Sequence, residues 1–125
     1  MTLPNCRLFL VAPTSGSADL LADCLTAAIA AGDVASLLIT DPGEPDLMAQ
    51  TARRLLPLAQ SGDTAVLIEN DLKLAQALGA DGLEIDPDIR SLKDYRASAG
   101  SDLAIGVNCG SDRHIAMEMA EAGAD

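Results

Sequence analysis

The sequence predicts an α/β chain built from repeated strand–helix units around a parallel sheet. Three observations carry that prediction. Apolar runs of strand length recur and are continuous rather than alternating, the mark of parallel strands covered on both faces. Segments with helical spacing separate these runs. Finally, Ala31-Gly32-Asp33, Gly79-Ala80-Asp81 and Gly123-Ala124-Asp125 each follow an Ala-rich helical segment. Glycine there is expected to stop the helix in a left-handed turn and pass the chain into the sheet.

Taken in order, the first strand is expected over residues 8–12. Thr14-Ser15-Gly16-Ser17 follows and reads as a helix-capping loop, because it lacks the lysine of a phosphate loop. Leu21, Cys24, Leu25 and Ala28 then keep helical spacing, with Asp19 in the first turn and Gly32 past the end. A second strand over residues 35–39 leads to a helix over 47–59, kinked or ended by Pro57. Arg53 and Arg54 fall on the solvated face of that helix. The third strand, residues 65–68, is followed by a short helix over 72–78 closed by Gly79. A fourth strand (83–85), a weak helix (91–99) and a fifth strand (103–107) come next. Ser111 is the expected N-cap of the last helix, which runs through Ile115, Met119 and Ala122 to Gly123. His114, the only histidine, lies in its first turn and reads as a surface residue; Cys109 reads as a packing residue.

Two architectures share these elements. A doubly wound, five-stranded open parallel sheet is complete at about this length. A closed (β/α)8 barrel needs three more units, so this chain would hold its first five. Length favours the open sheet. The third Gly-Ala-Asp, which announces a sixth strand, favours the barrel, as does the very short helix between strands three and four.

Composition narrows the function. The 125 residues fit one domain, 1–125, and 49 % of them are apolar. Phe9 and Tyr95 are the only aromatics, so the core is built from Leu, Ile, Val and Ala. The formal net charge of −11, with no basic cluster, argues against nucleic acid and anionic lipid as partners. Three cysteines without a CxxC pair point to reduced thiols and a cytoplasmic setting. The chain shows no signal-peptide pattern and no apolar run near the ~18 residues that span a membrane.

In either architecture, functional groups gather at the C-terminal ends of the strands. Asn70-Asp71 ends the third apolar run and Asp86-Pro87-Asp88 ends the fourth. On adjacent parallel strands these carboxylates share one rim. Such a pair suits a hard cation such as Mg²⁺, which retains waters and takes phosphate oxygens of a substrate. Read on spacing alone, Asp71 serves equally well as a helix cap and Asp86-Pro87-Asp88 as a polar loop.

Several stretches together resemble the thiamine-phosphate synthase and thiazole tautomerase family. They are Arg7-Leu8-Phe9-Leu10-Val11, Leu67-Ile68-Glu69-Asn70-Asp71, Leu74-Ala75, Gly79-Ala80-Asp81-Gly82-Leu83-Glu84-Ile85 and Gly106-Val107-Asn108-Cys109-Gly110-Ser111. The resemblance runs strand for strand along the chain. It implies a (β/α)8 TIM barrel of which this is the N-terminal part. It also implies a Mg²⁺-dependent transferase that joins hydroxymethylpyrimidine diphosphate to thiazole phosphate and releases pyrophosphate. Phosphorylated small molecules are the implied partners. A tautomerase-like or non-catalytic, ligand-binding paralogue is the alternative.

Residue by residue, the resemblance implies Asp71 as a Mg²⁺ ligand and Asn70 as its catalytic, substrate-binding neighbour. The second ligand position of the family falls on Ile89, so Asp88 serves if the loop is one residue shorter, with Asp86 as the further choice. Asn108 stands where the family has Ser, Gly110 where it has His, and Ser111 keeps the following hydroxyl. After the second strand, Leu38, Thr40 and Pro42 replace a Gln/Arg/Lys set that grips the diphosphate. That segment, Thr40 to Asp46, is acidic. Thr40 and the amides near Gly43 are the remaining donors for a phosphorylated substrate. A partial barrel also exposes sheet edges, so a homo-oligomer is expected unless more chain covers them.

Overall fold

The computed structural model describes residues 5–14 and 16–125. Strands and helices alternate strictly: β1 (Leu8–Ala12), α1 (Ala18–Ala31), β2 (Val34–Ile39), α2 (Pro45–Ser61), β3 (Ala65–Glu69), α3 (Leu72–Leu78), β4 (Gly82–Ile85), α4 (Ile89–Ala99), β5 (Ala104–Val107) and α5 (Arg113–Glu121). The strands form one sheet in the order β1-β2-β3-β4-β5. A doubly wound sheet reverses its order at a switch point. Here each strand joins the one before it, as in the winding of a (β/α)8 barrel. The open-sheet alternative is therefore set aside. The chain divides into two compact units, meeting between Val66 and Leu67.

In the first unit, Ser17 caps α1 by accepting the Leu20 amide at 3.4 Å. Ser15 of the expected capping loop lies outside the described residues. Gly32 ends α1 in an extended conformation, φ −158°, not the expected left-handed one. Its amide still reaches Ala28 O at 3.1 Å, so the helix closes without a left-handed residue. β2 is buried at Val34, Leu37, Leu38 and Ile39, and α2 packs Met48, Ala52, Leu55 and Ala59 into the same core. Pro57 lies inside α2, which runs on to Ser61. Proline there removes one helical donor, and its exposed position lets water take the freed carbonyl. Thr64 Oγ1 donates to Val34 O at 2.9 Å and fixes the entry to β3. β1 departs from the expectation of strands covered on both faces. Leu8, Phe9 and Val11 are 52 %, 52 % and 56 % exposed, because β1 is an edge strand with partners on one side.

In the second unit, the pleat sorts side chains to two faces. Ile68, Leu83 and Ile105 lie in register and are buried, and Leu83 and Ile105 share a core with Ile85, Leu92, Leu103 and Met119. The opposite face carries Leu67–Gly82–Ala104 in one row and Glu69–Glu84–Gly106 in the next. Gly79 ends α3 at φ 71°, a left-handed turn that admits glycine at no steric cost. Among the described residues, no helix is long and apolar enough to cross a membrane.

Candidate functional site

The second unit brings five of the expected site residues to the C-terminal ends of its strands. Asn70 and Asp71 follow β3, Asp86 and Asp88 follow β4, and Asn108 follows β5. Two backbone bonds extend the ladder beyond the strands: Asn70 N donates to Glu84 O at 2.8 Å and Asn108 N to Ile85 O at 2.9 Å. Asn70 sits at φ 57°. A non-glycine residue in that region carries strain, and asparagine tolerates it better than most.

The carboxylates divide by what they bind. Asp71 caps α3, its Oδ1 accepting the Leu74 amide at 2.9 Å. Asp88 caps α4, which therefore starts at Ile89 rather than near Ser91. Its Oδ1 accepts the Arg90 amide at 3.1 Å and its Oδ2 accepts the Ser91 hydroxyl at 2.8 Å. The Ser91 bond, with the Arg90 amide, holds the Asp88 carboxyl below the usual carboxylate range. Asp86 is exposed and caps no helix. Ser111 is not the cap of α5: Asp112 takes that role, accepting the Ile115 amide at 3.1 Å. Ser111 is left exposed in the preceding turn, where Asn108 Oδ1 accepts the Gly110 amide at 3.3 Å. A carboxylate is the stronger acceptor at a helix start, which explains the one-residue shift. His114 is on the surface, 3.1 Å from Glu118, and Cys109 packs against the second unit's core.

Glu84 is the feature that the sequence reading did not single out. Its carboxyl is half-buried on the face of β4, in register with Glu69 and two residues before Asp86. Burial pushes it above the usual carboxylate range, and the charges of Glu69 and Asp86 add to the shift. The signal was an acid inside an apolar run, visible once β4 is given a period of two.

In the first unit, Thr40 follows β2, and its hydroxyl donates to Ala12 O at 3.0 Å. The Gly43 amide donates to Asp41 Oδ1 at 2.8 Å. Of the donors expected to compensate for the missing basic set, the Thr40 hydroxyl and the Gly43 amide are thus already engaged. Thr40 keeps only its acceptor lone pairs.

Among the described residues, no group of three or more His, Cys, Asp or Glu side chains is placed to hold a metal ion. A full protein cage is therefore absent from them. Mg²⁺ does not need one, since it commonly takes one or two carboxylates and fills its octahedron with water and substrate oxygens. Asp71, with Oδ2 outside its capping bond, and Asp86, which caps nothing, fit that donor set.

Comparison with known proteins agrees with this layout. The family model described as thiamine monophosphate synthase matches residues 8–125. This chain belongs to that family. It is 33 % identical to the thiamine-phosphate synthase of Rhodospirillum centenum, over 98 % of this chain and 60 % of that protein. It is 34 % identical to the thiamine-phosphate synthase of Hyphomonas neptunium, over 98 % of this chain and 58 % of that one. The chain thus spans about three fifths of the length of these relatives. The structure of a thiamine phosphate pyrophosphorylase from Pyrococcus furiosus superposes with a TM-score of 0.76 at 18 % identity, covering 95 % of this chain and 57 % of that one. That likeness shows the fold.

Proposed function

We propose that this chain carries the N-terminal part of a thiamine-phosphate synthase-like transferase. The reaction joins hydroxymethylpyrimidine diphosphate to thiazole phosphate. A bond forms between the thiazole nitrogen and the pyrimidine methylene carbon, the carbon–oxygen bond to the diphosphate breaks, and pyrophosphate leaves. The observation that carries this reading is the family match over residues 8–125 with Asn70-Asp71 at the end of β3. Three free cysteines suit a reducing, cytoplasmic setting.

Each residue has a role in this reading. Asp71 holds the start of α3 with one oxygen and offers the other to a cation. Asp86 is the second carboxylate; Asp88 is the poorer choice because both its oxygens already accept hydrogen bonds. Bound Mg²⁺ would neutralise charge on the diphosphate leaving group. Asn70 and Ser111 supply hydrogen-bond donors to phosphate oxygens. Asn108, its Oδ1 held by the Gly110 amide, keeps its side-chain N–H groups for substrate. The test is direct: the two substrates and Mg²⁺ are supplied, and thiamine phosphate and pyrophosphate are measured together. Formation of both supports the transferase, and absence of both removes it.

One observation favours a second reading. Thr40 and Gly43 spend their donors within an acidic segment, where a diphosphate needs cationic or free ones. A tautomerase-like or non-catalytic paralogue binds thiazole phosphate without gripping a diphosphate. Thermal stabilisation by thiazole phosphate without thiamine phosphate formation would favour that reading.

A further inference from the structure

We draw no further inference here: the strongest candidate, the half-buried Glu84 carboxylate that faces Glu69 across β3 and β4 two residues before Asp86, is one acid in a row of acids with no second feature pointing to a ligand, and it belongs to the site already described.

Discussion

Arg96 Nη2 lies 2.6 Å from Asp125 Oδ2, and that same carboxylate oxygen accepts the Ile105 amide at 2.9 Å. Asp125 N in turn donates to Ile105 O at 2.9 Å. The aspartate of the third Gly-Ala-Asp is therefore joined to β5 through both its main chain and its side chain. Arg96 completes the arrangement by donating to Leu103 O at 2.9 Å and Gly123 O at 3.0 Å.

This relationship predicts an acid-sensitive contribution to stability. The Arg96 guanidinium, then the Ile105 amide, hold the Asp125 carboxyl below its ordinary value. Its contribution is present above the unfolded value, about 3.9, and is lost as pH falls through the lower folded value. The gap between the thermal melts of the parent and of Arg96→Ala should therefore be wider above pH 5 than below about pH 3, where only the loss of the bonds to the Leu103 and Gly123 carbonyls remains. At pH 7 Arg96→Ala should cost about 1–2 kcal/mol, mostly from the unpaired carbonyl of buried Leu103. Asp125→Asn, which keeps an acceptor for Ile105 and loses only a solvent-screened charge, should cost less than about 0.5 kcal/mol. Equal losses in the two variants would reject this account.

Glu84 predicts the opposite sign. Its folded value is raised by burial and by Glu69 and Asp86, so the ionised form destabilises the fold. The contribution is favourable below the unfolded value near 4.3 and is lost as pH rises through the higher folded value. Glu84→Gln should stabilise the chain at pH 7–8 by about 0.5 kcal/mol, the usual scale for like charges facing across a sheet, and should make no difference at pH 3. Urea titrations at the two pH values check this. A destabilised variant at pH 8 would mean that the carboxylate has an attractive partner.

Gly82 predicts a steric cost. A Cβ there would meet Ala104 O at 2.9 Å and Leu67 Cγ at 3.1 Å. The first neighbour is backbone in a paired strand and cannot give way cheaply. Gly82→Ala should lose about 1–3 kcal/mol, the range for overpacking a filled site. Gly106→Ala, whose Cβ meets nothing closer than 3.8 Å, is the control and should lose less. Chemical denaturation of the two variants decides it.

Much of the strand and helix layout was legible because continuous apolar runs and glycine stops are strong, local signals. The order of the strands was not, since adjacency in a sheet is a tertiary property; the third Gly-Ala-Asp pointed to it only indirectly. Helix starts were misread at two aspartates: spacing put the start of the fourth helix at Ser91 although Asp88 caps it, and Ser111 stood as the cap of the fifth instead of Asp112. In both places the aspartate caps. Asn70-Asp71 was legible as the end of a strand, but the capping bond of Asp71 and the strained φ of Asn70 needed coordinates. Glu84 was overlooked because an apolar run was read whole instead of by alternate faces.

The three aspartates at the strand ends predict separable effects. Asp71→Ser keeps a capping oxygen for Leu74 N and removes the carboxylate. It should melt within about 0.5 kcal/mol of the parent yet lose Mg²⁺-dependent stabilisation. Asp71→Ala should lose both, with about 1 kcal/mol of stability. Asp86→Asn disturbs no capping bond, so it should leave the melt unchanged without metal and weaken Mn²⁺ binding about tenfold or more, the scale for losing one charged ligand. Asp88→Ala should lower the melting temperature through the loss of its bonds to Arg90 and Ser91, and leave Mn²⁺ affinity where it was. Electron paramagnetic resonance of free Mn²⁺, read beside metal-free melts, separates the two effects without an activity assay. If Asp88→Ala abolished Mn²⁺ binding and Asp86→Asn did not, the second carboxylate would be Asp88, and its capping bonds would have to yield when the ion binds.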